Sequence, residues 1–88
     1  MTTRTTVFAA IDSERAYQKK WEDPSMTDSG GKHSVTEFLV YIRDYTEEAL
    51  HFLSREPDPI CEPKALHSLR KIAALAVAAM EQWGAPLR

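Results

Sequence analysis

The chain is expected to fold as an all-α protein: a three-helix antiparallel bundle, completed by homo-oligomerisation. Three observations lead there. Residues Ile72 to Met80 carry no polar side chain, and a helix that is apolar all round is buried all round or lies in a membrane. Two further segments repeat apolar residues at spacings of three and four, and no stretch reads as a credible strand. The whole chain has only 88 residues, too few to cover the apolar helix from every side, so a second copy is expected to help.

Those nine apolar residues fall far short of the roughly 20 that span a bilayer, so burial in protein is expected and membrane association is not. A chain of this length makes one helical domain, residues 1–88. Its single cysteine, Cys61, excludes an intramolecular disulfide. With no signal peptide in view, a reducing, cytoplasmic setting is expected. The net charge of −2, with both signs interspersed, excludes the basic footprint of a protein that grips a nucleic-acid polymer. A single nucleotide held through a metal ion stays compatible with a mildly acidic chain.

In order along the chain, Met1 to Thr6 is polar and Thr-rich and is expected to fray. The first helix is expected over about residues 7–21, with Val7, Phe8, Ala10 and Ile11 toward one side and Tyr17 and Trp21 continuing it. Asp12, Arg15, Lys19 and Lys20 mark its polar side. From Glu22 to His33 turn formers dominate (Pro24, Asp28, Gly30, Gly31), which predicts a surface loop. Ser34-Val-Thr-Glu37 then has the form of a capping box, in which hydroxyl and carboxylate each bond the other residue's backbone N–H. The helix it opens is predicted over about 35–54, with Phe38, Ile42, Tyr45, Ala49 and Phe52 as its apolar stripe and Leu39 and Leu53 widening it. Pro57, Pro59 and Pro63 end that helix and stiffen the connection. The last helix is predicted over about 64–83, opened by Pro63 and closed by Gly84 and Pro86.

Candidate chemistry sits on the polar face of the second helix. Glu37, Tyr41, Asp44, Glu48 and His51 follow one another at spacings of four and three, which places them in one row. Asp44, Glu47, Glu48 and His51 form a candidate metal set, because oxygen-rich ligands suit Mg²⁺ or Mn²⁺. The plainer reading is a solvated face with Arg43 and Glu47 paired one turn apart, and for carboxylates on an amphipathic helix it is the commoner outcome. His67 and Lys71, one turn apart on the last helix, are candidate ligand-binding residues for phosphate or metal–phosphate. In an antiparallel pair they fall near the level of Glu48 and His51. Interhelical salt bridging at the core's edge is the competing use of that polar cluster. Tyr17, Lys20 and Trp21 are candidates to stack on a base and clamp its phosphate, while aromatics at helical spacing are more often core, which is the expectation for Tyr17 and Trp21. Gly30-Gly31-Lys32 lacks the full phosphate-loop pattern, and Cys61 has no partner at zinc-ligand spacing.

Glu14-Arg-Ala-Tyr-Gln18 with Trp21, His33-Ser-Val-Thr-Glu-Phe38, and Leu69-Arg-Lys-Ile-Ala-Ala-Leu-Ala-Val-Ala-Ala-Met-Glu-Gln-Trp-Gly84 together resemble the MazG-like proteins, in particular the small MazG-related proteins of bacteria and phages. The resemblance covers about residues 12–84. It implies an all-α nucleoside triphosphate pyrophosphohydrolase that assembles as a dimer or tetramer and releases a monophosphate and pyrophosphate. It also implies Mg²⁺ held by an E-x-x-E cluster on one long helix and an E-x-x-D pair on the next, a centre that activates water and stabilises developing phosphate charge. The chain departs from that pattern. The first cluster falls near Ile42, Tyr45 and Glu48, of which only Glu48 is acidic, with Asp44 and Glu47 nearby. The second pair falls at Ser68 and Lys71, and neither is acidic.

Two functions follow as expectations. One is a divergent (d)NTP pyrophosphohydrolase, with Asp44 and Glu48 catalytic and Asp44, Glu47, Glu48 and His51 around Mg²⁺. The other is a non-catalytic oligomeric helical protein that binds a nucleotide or a protein partner.

Overall fold

In a computed structural model of the chain, residues 2–22, 32–55 and 61–88 are described, without side chains at 21, 22, 54, 55, 61 and 62. They form α1 (Arg4–Gln18) with a short 3₁₀ turn after it (Lys19–Glu22), α2 (Val35–Arg55) and α3 (Cys61–Trp83). No strand occurs among the described residues. The loop expected over 22–33 and the proline-rich connection before Pro63 fall largely on residues 23–31 and 56–60, outside the described residues.

Each helix end has a local chemical cause. Thr3 caps α1: its hydroxyl accepts from the Thr6 backbone N–H at 3.2 Å, and its carbonyl accepts from Val7 at 3.0 Å. The helix therefore starts three residues earlier than the apolar spacing suggests, at Arg4, and the expectation of a frayed start gives way to a cap. The capping box of α2 is formed in both directions, Glu37 N–H to Ser34 Oγ and Ser34 N–H to Glu37 Oε1, each at 3.1 Å. At the far end of α3, Gly84 takes φ +115° and its N–H reaches the Met80 carbonyl at 2.8 Å. That left-handed cap closes the helix where a side-chain-bearing residue is strained. Pro63 lies inside the first turn of α3 rather than before it, where its missing N–H has no intrahelical role.

α3 is the central element, with α1 and α2 both packed on it. Lys64 lies over the Phe52 ring and Lys71 over the Tyr45 ring, at 5.8 and 5.5 Å from the ring centres. At the other end the Trp83 indole N–H donates to the His33 carbonyl at 2.8 Å. Numbers rise on one helix as they fall on the other, so α2 and α3 run antiparallel, as predicted.

Among the described residues, the buried apolar ones are Phe38, Ala49, Ala65, Ala74 and Ala78. Alanines bring the helix backbones close together but remove little apolar surface from water, so this core is small. Of the predicted α2 stripe, Ile42, Tyr45 and Phe52 are half-buried, while Leu39 and Leu53 stand out in solvent. Burial of the apolar run in α3 is partial all round, with Ala73 and Ala79 also half-buried. Ala74 and Ala78 are covered, Ile72 and Leu75 to Val77 are half-covered, and Met80 is exposed.

α1 departs furthest from its predicted faces. Only its second half crosses α3, so Val7 and Phe8 project past the contact and are exposed. Tyr17, expected toward the core, is exposed beneath the Lys20 ammonium, 3.7 Å from its ring centre. Arg15, expected on the polar side, is buried and donates to Glu81 at 2.8 Å, while its neighbour Glu14 is buried against Arg70 at 2.8 Å.

Candidate functional site

The polar row on α2 is where the sequence places it. Glu37, Tyr41, Asp44, Glu48 and His51 are all exposed, as is Glu47. Among the described residues, no group of three or more His, Cys, Asp and Glu side chains converges closely enough to hold a metal ion. A helix face spreads side chains at i, i+4 and i+7 along its length, so a neighbouring element must bring further ligands across to close a site. The opposite helix brings none at the positions the resemblance assigns. Ser68 is fully buried, and Lys71 sets its ammonium over the Tyr45 ring. A cation thus occupies the level at which an E-x-x-D pair would complete the cluster. These residues do not fit a centre of several carboxylates around Mg²⁺.

The candidate ligand-binding residues divide between different tasks. Lys20 stacks on Tyr17, and Lys71 on Tyr45. His67 accepts at Nδ1 from the Arg70 guanidinium, which places the proton of a neutral ring on Nε2. The Gln18 amide donates to the Lys71 carbonyl at 3.4 Å, bringing the end of α1 to the level of Lys71. The side chain of Trp21 lies outside the described residues.

A different polar cluster holds α1 on α3. Arg70 bridges Glu14 and His67, and Arg15 uses Nε and Nη2 on the two carboxylate oxygens of Glu81, at 2.8 and 3.4 Å. The interhelical salt bridging weighed for His67 and its neighbours is therefore present, through Arg70. Its partners on α1 are not among the residues that sequence pattern singles out. The available signal was a Glu14–Arg15 dipeptide next to an apolar stripe, matched by Arg70 and Glu81 on one face of the last helix.

The start of α2 forms a second polar knot. The Ser34 backbone N–H, then the His33 ring at 3.1 Å, hold the Glu37 carboxyl below the ordinary carboxylate range. His33 is also fixed edge-on between Phe38 and Tyr41, with ring centres 5.6 Å away in each case. Its backbone is claimed at both ends, with Gln82 accepting from the N–H and Trp83 donating to the carbonyl. These groups cap and latch helices, which gives them a structural use. No protein-family model, curated protein or solved structure matches the chain.

Proposed function

We propose that the protein is a non-catalytic, homo-oligomeric helical binding protein built on a MazG-like scaffold. The observation that carries this reading is Lys71 over Tyr45. A fixed positive charge stands where a pyrophosphohydrolase of that type needs carboxylates, and neither Ser68 nor Lys71, the α3 positions that the resemblance assigns to the second pair, is acidic. A lysine at one of those positions adds positive charge where a divalent cation would need negative ligands. The thin alanine core supports the oligomeric half of the reading, because a chain of this size needs further burial to be stable. No described helix is long and apolar enough to cross a membrane, and a cytoplasmic setting remains the proposal drawn from cysteine usage.

The competing reading, a divergent pyrophosphohydrolase using Asp44, Glu47, Glu48 and His51 around Mg²⁺, makes an opposite prediction. Purified protein is incubated with a dNTP mixture and Mg²⁺ or Mn²⁺, and pyrophosphate is measured. The non-catalytic reading expects no metal-dependent release. Sustained release that disappears in Asp44→Asn or Glu48→Gln would overturn it. Calorimetric titration with the same nucleotides, with and without metal, separates a nucleotide ligand from a protein partner.

A further inference from the structure

α1 is attached to the rest of the molecule more by charge than by apolar packing. Only Glu14 and Arg15 of this helix are buried, and Ile11 and Gln18 are half-buried. Val7, Phe8 and Tyr17 are exposed, so the apolar residues that ordinarily seat an amphipathic helix contribute little here. Two adjacent residues instead send opposite charges to two places on α3. Glu14 accepts from Arg70 Nε, and Arg15 donates from Nε to Glu81 Oε1, each at 2.8 Å. Arg70 and Glu81 are 11 residues apart, about 16 Å along a helix. Between them Ala74 and Ala78 share the face of Glu81, at spacings of four and three, and both are buried. Alanine permits a close approach but removes little apolar surface from water.

Ion pairs of this kind hold a helix weakly, because desolvating the charges offsets much of their attraction. Gln18 adds to the cost of docking. Its amide reaches the Lys71 carbonyl at a long 3.4 Å, and its Oε1 is buried without a hydrogen-bond partner among the described residues. α2 and α3 are joined by stronger means. They bury Phe38, Ala49 and Ala65, half-bury Ile42, Tyr45 and Phe52, and tie Gln82 and Trp83 to both backbone groups of His33. Loss of α1 is therefore the opening of lowest free energy. A helix of 15 residues has little stability alone in water, so α1 unwinds as it leaves.

We propose that α1 is an ion-paired strap that lifts from α3 and unwinds while α2 and α3 stay packed, and so uncovers the α3 strip from Ala74 to Glu81. The two anchors are neighbours on α1, which makes release cooperative. A buried charge that loses its partner regains water only if the helix moves away, and that movement breaks the other pair. The strap needs neither a nucleotide nor a second copy of the chain, so it stands apart from the function proposed above.

The test is native-state amide hydrogen exchange of the full chain, followed by NMR at one protein concentration, in the wild type, Ala49→Gly and Glu81→Gln. Ala49 is buried in α2, away from the strap, so Ala49→Gly weakens the closed and the strap-open forms alike. It is expected to speed the slowest amides of α2 and α3 about fivefold, the effect of glycine inside a helix. The amides of Ile11, Glu14 and Arg15 are expected to stay within about twofold of wild type, since their opening does not pass through the α2–α3 core. Glu81→Gln is expected to speed those α1 amides at least about 10-fold, because Arg15 then faces a neutral amide. A urea series on the wild type needs no substitution, and it decides the matter if Ala49→Gly does not fold. Exchange in α1 should rise less steeply with urea than exchange in α2 and α3, since lifting α1 exposes less surface than global unfolding. Equal acceleration of all three helices by Ala49→Gly, or one common urea slope, means that α1 opens only with the whole fold and overturns the strap. Unchanged α1 exchange in Glu81→Gln overturns its ionic attachment.

Discussion

Replacing Glu81 by Gln removes one charge from the contact that seats α1 on α3 and changes almost no volume. Arg15 is the partner that suffers, because its side chain is only 6% exposed while that of Glu81 is 46% exposed. Two unit charges about 4 Å apart attract by about 4 kcal/mol at the effective dielectric constant near 20 that suits such sites. Water at Glu81 screens part of that, and the carbonyl oxygen of the substituted amide keeps one of the two hydrogen bonds. The expected loss is therefore about 2 kcal/mol, above the roughly 0–1 of an exposed pair and below the 3–5 of a fully buried one. For a chain of this size that corresponds to a fall in Tm of about 8–16 °C. Urea denaturation followed by far-UV circular dichroism measures it, at one protein concentration because association shifts apparent stability. Glu48→Gln, an exposed carboxylate, is the control, and Arg15→Met closes a double-mutant cycle. A loss below about 0.5 kcal/mol, the scatter of ordinary surface substitutions, would refute the claim that Arg15 depends on Glu81.

Two further tests address the helix ends. Because the Glu37 carboxyl is held below its ordinary range, its ionised form favours the fold. The contribution is complete above the unfolded value of about 4.3 and is lost as pH falls through the lower folded value. In an NMR titration the Ser34 amide should shift in that acidic window, and the shift should vanish in Glu37→Gln; persistence in the variant would assign it elsewhere. Gly84→Ala places a Cβ at φ +115° with no atom within 4 Å, so the cost is backbone strain alone, about 1–2 kcal/mol. Unchanged thermal stability would mean that the chain ends the helix equally well another way.

Features decided within one turn of helix were legible in the sequence. The Ser34–Glu37 box and the Gly84 cap use residues three or four apart, and the chemistry of either end can be read without knowing the fold. The three-helix architecture and the inward stripe of α2 follow from periodicity alone. What was not legible depends on which helix crosses which, and where. Arg15 looks like a surface residue until Glu81 is set against it, a contact spanning 66 residues of sequence. The exposure of Tyr17, Val7 and Phe8 follows from α1 touching α3 with only its second half. For the polar row, sequence places Asp44, Glu48 and His51 side by side on α2, but only the packing sets the Lys71 ammonium over the Tyr45 ring.

The bond from the Trp83 indole to the His33 carbonyl has a consequence for fluctuations. Helix ends ordinarily fray one by one, and amide protons in a first turn exchange almost as fast as in a free peptide. Here the last turn of α3 supplies Gln82 and Trp83 to both backbone groups of His33, the residue next to the Ser34 cap. Opening either end breaks bonds of the other, so the first turn of α2 and the last turn of α3 should open as one cooperative unit. Exchange protection at Phe38 and at Gly84 would then rise and fall together, and Trp83 fluorescence would report the joint event.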